Sequence, residues 1–328
     1  MKNNKFKKIA IKAATMLLGV SLLAGCAPAA TTTTSAGTTA GTTTAGTTVA
    51  GTTAAGTTTA ATTAAETTTA AANDALAKIK AAGVITMGTS PDYPPNEFYI
   101  LDANNQKQIV GSDIMLGQAI ADKIGVKLEI KPTDFAGVLS NIQAGQLDMA
   151  IAGFSYTEGR KAAMQYSDGY ATESELGWHG IMMSKANAAK YPTLDALKAA
   201  KLKIGAQSGS VQQEMASKLT DPMSLKVMGT LDALALSLNA GDIEALVIST
   251  DNATNMLKTF PDLMILPKES FNLDPENMYS QNVVVFPLGD DSKSLIEVAN
   301  EVINAAKADG TMEKWRTEAL ELAKKAVE

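Results

Sequence analysis

The chain of 328 residues contains one cysteine, Cys26, and one histidine, His179. A lone cysteine has no partner within the chain, so no disulfide framework supports the fold. There is no His, Cys and Glu cluster at metal-ligand spacing. Walker loops, dinucleotide fingerprints and Gly-x-Ser-x-Gly elbows are also missing, and no pair of titratable motifs suggests acid–base chemistry. The sequence therefore predicts no catalytic residue, no metal and no cofactor. His179 stands beside Trp178 at the head of an apolar stretch, Ile181-Met182-Met183, and is expected to be structural or to line a hinge. Basic tracts are absent beyond the N-terminus. The 28 Lys and Arg against 34 Asp and Glu become 23 against 34, a balance of −11, once five N-terminal lysines are set aside. That acidity argues against nucleic acid as a partner. No apolar run after the N-terminal segment approaches the ~20 residues needed to span a bilayer.

The N-terminus itself carries an address. Lys2, Lys5, Lys7, Lys8 and Lys12 precede an apolar stretch, Ala13 to Ala24, that is short for a membrane span and reads as a secretory signal over residues 1–25. Leu23-Ala24-Gly25-Cys26 resembles a bacterial lipobox, in which the cysteine receives a diacylglyceryl group and becomes the mature N-terminus. Each buried lipid methylene contributes roughly 0.8 kcal/mol to such an anchor. The expected location is the extracytoplasmic face of the cell membrane, with the chain tethered to it and not embedded in it.

Residues 26–72 follow as a tether, almost entirely Thr, Ala and Gly after Cys26, with one charge, Glu66, and no aromatic residue. Such a tract buries too little apolar surface to offset its ordering entropy. As a flexible coil it reaches roughly 35–40 Å. Composition changes abruptly at residue 73, and the remaining 256 residues are enough for two cored units.

Strand and helix signals alternate through that region. Strands are expected at Val84–Thr89, Val126–Ile130 and Leu147–Ala152, with a helix capped by Ser112 running to Ile124 and another at Phe135–Ala144, stopped by Gly145. The rhythm resumes with strands Leu202–Ala206, Leu225–Met228 and Ile243–Ile248. Between them lie a helix from Ser210 and one at Leu231–Ala240, stopped by Gly241. A last helix is expected around Lys314–Val327. Alternating βαβ signals imply mainly parallel sheets flanked by helices. Gln143-Ala144-Gly145-Gln146-Leu147-Asp148 lines up with Asn239-Ala240-Gly241-Asp242-Ile243-Glu244, which suggests two similar α/β lobes. Ligands in open α/β sheets bind beyond the carboxyl ends of strands, which directs attention to Gly153–Arg160 and Ser249–Asn252.

Several segments in order then carry a resemblance. They include Gly88-Thr89-Ser90-Pro91-Asp92-Tyr93-Pro94-Pro95-Asn96-Glu97-Phe98, Ile109-Val110-Gly111-Ser112-Asp113-Ile114 and Ala144-Gly145-Gln146-Leu147-Asp148. They continue with Gly153-Phe154-Ser155-Tyr156-Thr157-Glu158-Gly159-Arg160, Tyr166-Ser167-Asp168-Gly169-Tyr170, Gly205-Ala206-Gln207-Ser208-Gly209-Ser210 and Gly310 to Lys314-Trp315. Over essentially all of residues 73–328 the chain resembles the family 3 extracellular solute-binding proteins. The resemblance implies the type II periplasmic-binding-protein fold, two α/β lobes joined by a two-strand hinge. It further implies a receptor, expected to act as a monomer, that binds a small amino acid or related carboxylate between the two lobes and delivers it to the permease of an ABC importer, as family members do for polar amino acids and related solutes. Lobe 1 is expected at 73–174 and 281–328 and lobe 2 at 175–280, with crossings near Tyr170–Gly177 and Ser280–Val284.

The same resemblance assigns a site. Arg160 is similar to the arginine that grips the ligand's α-carboxylate, for which a planar guanidinium fork is suited. Gly153 and Ser155 resemble backbone and hydroxyl donors on the same loop, Thr157 is placed to cap the turn carrying Arg160, and Ser210 resembles the second-lobe hydroxyl. Tyr93 and Phe135 match aromatic walls around the ligand. One departure stands out: family members usually carry an acid where Ser249 lies, as the partner of the ligand's ammonium, and some carry one at Ser90. Asp251, two residues on, either reaches in as a substitute or serves only the start of its helix; in the second case the ligand lacks the usual α-amino contact. The alternatives are a fold-related enzyme of the dehydratase kind and a sensory or adhesive surface protein, for which the Thr-rich stalk is the support.

Overall fold

The computed structural model describes residues 74–172, 177–279 and 281–327. The expected signal peptide, the lipidated Cys26, the tether and parts of both expected crossings lie outside the described residues. In chain order the strands are β1 (Val84–Thr89), β2 (Asp92–Tyr93), β3 (Glu97–Leu101), β4 (Lys107–Val110), β5 (Lys127–Pro132), β6 (Met149–Ala150) and β7 (Met164–Thr172). They continue with β8 (His179–Ser184), β9 (Ile204–Gln207), β10 (Leu225–Met228), β11 (Ala245–Ser249), β12 (Leu263–Ile265), β13 (Gln281–Pro287) and β14 (Ala326–Val327).

Two five-stranded sheets share one plan. The first runs β5-β1-β6-β13-β7 and the second β10-β9-β11-β8-β12. In each, the first three strands are parallel and the fourth is antiparallel to the third. Strands β6 and β11 hold equivalent central places, and they follow the two helix–glycine segments that align in sequence. The repetition legible in the chain is thus a repetition of topology. This is the type II periplasmic-binding-protein fold, with two lobes joined through the paired strands β7 and β13. Those strands run antiparallel, with Gln281 opposite Thr172. A smaller antiparallel sheet, β14-β3-β2 with β4 on β3, rides on the first lobe.

Strand alternation builds a core on each face of each large sheet. Val284 and Phe286 of β13 join Ile85, Met87, Leu116 and Ile303 on one side, while Val283 and Val285 join Phe135, Val138 and Ile142 on the other. In the second lobe Ala245 and Val247 face Leu197 and Met215, whereas Leu246 and Ile248 face Leu231, Leu234 and Leu238. Side chains of this size, fully buried, each contribute about 1.5–3 kcal/mol. Among the described residues no helix is long and apolar enough to cross a membrane.

Three local expectations are corrected. Ser112 is the first helical residue and not the cap; Gly111 holds that place without a side-chain bond. The N–H groups of Ser112 and Asp113 are taken instead by the carbonyls of Pro95 and Asn96. Gly111 has φ 136°, and a Cβ there would lie 2.0 Å from the Asn96 carbonyl oxygen, so the close approach requires glycine. Of the expected strand Leu147–Ala152 only Met149–Ala150 pairs as strand, because the chain turns into the Gly153 loop. The last helix spans Thr311–Leu322, and Ala326–Val327 leaves it to pair with Ile100 and Tyr99, satisfying the open side of β3.

Candidate functional site

A cavity lies between the lobes, beyond the carboxyl ends of β6 and β11. The first lobe lines it with Ser90, Asp92, Tyr93, Glu97, Phe135, Ala152, Gly153, Ser155, Arg160 and Asn282. The second contributes Gly177, Trp178, His179, Gln207, Ser210, Val211, Gln212, Ser249, Asp274 and Tyr279. Eight of the nine ligand-site residues read from the sequence are brought together here. Asp251 is the exception.

Arg160 is carried on a short 3-10 turn, Glu158–Ala162, whose start is capped by Thr157: its Oγ1 accepts the Arg160 N–H at 3.2 Å. The guanidinium donates from Nη1 to Ser155 O at 3.4 Å and from Nη2 to Gly209 O, in the other lobe, at 2.7 Å. It also sits 5.9 Å from the centroid of the Phe135 ring, a cation–π distance. Burial lowers the pKa of Arg160, against the opposing pull of Tyr166 and Glu214, yet the group remains charged at any physiological pH. Phe135 in turn packs on Phe154 at 4.8 Å, and its helix is capped by Asp134, which accepts the Gly137 N–H at 2.7 Å.

Gly153 is placed differently from the donor expected of it. Its N–H is given to Asp113 Oδ2 at 2.9 Å and so is not free for a ligand. Its φ of 57° and the Tyr93 ring, 3.0 Å from where a Cβ would stand, explain why glycine occupies this turn. Ser210 caps the Val211–Ser217 helix: its hydroxyl donates to Gln207 O at 2.7 Å and accepts the Gln213 N–H at 3.1 Å. The hydroxyls of Tyr93 and Ser249 are hydrogen-bond partners across the lobes, and burial raises the Tyr93 pKa.

The acids around the cleft differ in the partners they hold. Asp251 does not line the cavity; its Oδ2 accepts Arg316 Nη2 at 3.2 Å, a partly buried ion pair. Asp92 takes up the bonding near Ser90: Oδ1 accepts the Ser90 hydroxyl at 3.0 Å, and Oδ2 accepts Gln207 Nε2 at 3.0 Å and the Leu231 N–H at 2.7 Å. Burial pushes its pKa up to about 6 against those bonds. Asp274 is held by the N–H groups of Met278 and Tyr279, at 2.9 Å each. Glu97, 1% exposed, lines the cavity from β3. Burial raises its pKa well above the carboxylate range, and neighbouring Asp113 raises it further.

His179 opens β8 and lines the cavity, its Nδ1 3.1 Å from Gln212 Nε2 and its ring edge-on to Tyr279 at 6.0 Å. Sequence reasoning missed Asp92, Glu97, Asp274, Trp178, Gln207, Gln212, Tyr279 and Asn282 as lining residues. For Glu97 a signal existed, since an acid opens the otherwise apolar and aromatic strand Glu97-Phe98-Tyr99-Ile100-Leu101. Asp274 and Tyr279 lie on an irregular segment with no periodic signal.

Two α/β lobes enclosing a polar cavity at their strand ends, with an arginine from one lobe reaching the other, define a two-lobed solute-binding protein. The chain belongs to the bacterial extracellular solute-binding proteins, family 3, whose sequence model matches residues 85–320. It is 29% identical to the arginine-binding extracellular protein ArtP of Bacillus subtilis over 55% of this chain and 66% of that one, just under two thirds of its length. It is 22% identical to the L-cystine-binding protein TcyJ of Escherichia coli over 73% of this chain and 85% of the relative. Among solved structures it resembles an amino acid ABC transporter substrate-binding protein, AbpA, of Streptococcus pneumoniae bound to L-arginine. That match has a TM-score of 0.67 and 31% identity and covers 75% of this chain and 98% of the other. Each of these similar proteins is a binding protein.

Proposed function

We propose that this protein is a lipid-anchored receptor on the extracytoplasmic face of the cell membrane. It closes two lobes on an amino acid and delivers it, as a monomer, to the permease of an ABC importer. The observation that carries this reading is Arg160. A guanidinium in the cleft whose hydrogens reach, among the described residues, two backbone carbonyls, Ser155 O and Gly209 O, retains its positive charge for an incoming carboxylate. Phe135 and Tyr93 supply apolar walls, and Ser90, Ser155, Ser210 and Ser249 supply hydroxyls around the same space. The lobes are taken as 73–174 with 281–328, and 175–280. The relatives' names point to amino acids with a second polar or cationic group, and the cavity's acids, Asp92, Glu97 and Asp274, agree with a ligand that carries positive charge.

The test is a thermal-shift and calorimetric screen of the standard L-amino acids against the full chain. A ligand at a hundredfold excess over its Kd stabilises the folded state by about 2.7 kcal/mol, a clear rise in Tm. No shift and no heat with any of them would overturn the receptor reading. The anchor has its own test: Cys26→Ala moves the protein from the membrane fraction to the soluble one.

A further inference from the structure

The lobes also meet outside the ligand cavity. A groove of about 240 Å³ lies between Pro91, Pro94 and Phe98 of the first lobe and Asn252, Met256 and Phe260 of the second. Among the described residues that line it, Asp92 alone also lines the ligand cavity. The second-lobe wall is formed in part by the Thr250–Thr259 helix. Two side chains of that helix cross to the first lobe: Asp251 Oδ2 accepts Arg316 Nη2 at 3.2 Å, and Asn255 Nδ2 donates to Pro94 O at 3.0 Å. Residues three and four apart share a helix face, so Asn252 stands on the same face as Asn255. Asn252 is 1% exposed, and neither its Nδ2 nor its Oδ1 meets a hydrogen-bond partner among the described residues.

These three side chains act in opposite senses. Asp251 and Asn255 gain partners when the lobes touch. Asn252 gives up water and receives nothing in return, and a buried amide left without partners is costly. Parting the lobes opens the groove and returns water to the amide. We propose that this helix is a second closing surface, on which the unpaired Asn252 amide holds the empty receptor mainly open. The Asp251 and Asn255 contacts limit that penalty to what a bound ligand overcomes. This inference rests on the receptor reading above and adds a device, outside the cleft, that sets its affinity.

Affinity follows from the balance of the two forms. When only the closed form holds the ligand firmly, the apparent Kd is the intrinsic Kd divided by the closed fraction of the empty protein. Asn252, Asp251 and Asn255 do not line the ligand cavity, so they act on that fraction and not on ligand contacts. Removing the amide raises the fraction, and removing a cross-lobe contact lowers it. The two kinds of substitution, on one face of one helix, should therefore move Kd in opposite directions.

The experiment measures lobe separation and affinity together. Nitroxide labels are placed at Leu101→Cys in the first lobe and Met223→Cys in the second, both exposed positions, in the full chain carrying Cys26→Ala. Pulsed electron paramagnetic resonance reads the distance with and without the tightest-binding standard L-amino acid, and calorimetry gives Kd. The empty protein is expected mainly at a distance distinct from the ligand-bound one. Asn252→Leu, similar in shape but without polar side-chain atoms, is expected to move the empty protein toward the bound distance and to lower Kd by about five- to fiftyfold. Asn252→Ala should act in the same direction, and it serves if leucine does not fit. Asn255→Ala is expected to raise Kd by about two- to fivefold and to shift the empty protein further toward the open distance. Wild-type distances and Kd in both Asn252 variants overturn this inference and leave the receptor reading standing. An empty protein already at the bound distance does the same. If no amino acid gives a change in distance or a heat of binding, the receptor reading falls and this inference falls with it.

Discussion

The Asp92 carboxylate, on the first lobe, accepts the backbone N–H of Leu231 at the head of a second-lobe helix, 2.7 Å away. Its other cross-lobe donor is Gln207 Nε2 at 3.0 Å, and among the described residues no cation pairs with it. A helix N-terminus favours a negative partner, but burial outweighs the bonds and raises the pKa from 3.8 to about 6. The folded protein therefore binds this proton more tightly than the unfolded chain. The resulting stability is complete below the unfolded pKa and is lost as pH rises through about 6. Over that interval the group is expected to contribute about 1–3 kcal/mol, discounted for partial exposure. Asp92→Asn removes this term, so unfolding measured at several pH values between about 4 and 7 should show a flatter pH dependence than wild type. An unchanged slope would show that Asp92 is solvated in the folded protein.

Arg160→Ala is expected to weaken binding of the amino acid by about ten- to a hundredfold or more, since a charge-assisted bond to a carboxylate contributes roughly 1.5–3 kcal/mol. Arg160→Lys retains the charge but not the fork, and recovers only part of the loss. Calorimetric Kd values for the three proteins check both statements. Wild-type affinity in Arg160→Ala would remove Arg160 from the site.

For Asp251 the ion pair with Arg316 moves the expected effect from affinity to stability. Asp251→Asn should lower the unfolding free energy by about 1 kcal/mol, toward the upper end for a partly exposed pair. Its effect on Kd should stay below tenfold. A larger loss of affinity with unchanged Tm would place Asp251 in the ligand's reach after all.

Ser249→Asp restores the acid usual in the family, at a position 4% exposed and already bonded to Tyr93. Without ligand the new carboxylate is buried without a cation and should lower Tm. With an amino acid bound, its ammonium offsets that charge, so the ligand-induced rise in Tm should exceed the wild-type rise. Scanning calorimetry with and without ligand decides it, and an equal rise in both proteins would count against an ammonium at this end of the cleft.

Gly153→Ala tests the loop that joins the site to its support. A left-handed φ of 57° and a Tyr93 ring 3.0 Å from the added Cβ both oppose the change. The expected cost is about 1–2 kcal/mol, or about 2–4 °C of Tm for each kcal/mol in a domain of this size. Weaker ligand binding should accompany it, because the Tyr93 wall is displaced.

Much of the architecture follows from local chemistry that the chain writes directly. Apolar alternation and glycine stops mark β1, β10 and the Leu231–Ala240 helix at their observed limits, and the matched helix–glycine–strand segments foretell the matched sheets. The Arg160 turn and its Thr157 cap were legible for the same reason, since a cap acts over three residues. What the sequence left undetermined were relations between distant residues. Whether Asp251 turned to the cleft or to Arg316, 65 residues away, depended on where the C-terminal helix docks. That Gly153 would spend its N–H on Asp113, and that Glu97 would lie buried with no donor to its carboxyl among the described residues, depended on a helix and a small sheet packing beneath the site loop. Periodicity and capping are properties of neighbouring residues and can be read in order. The state of a carboxyl group is set by what surrounds it in space, and tertiary packing alone decided that.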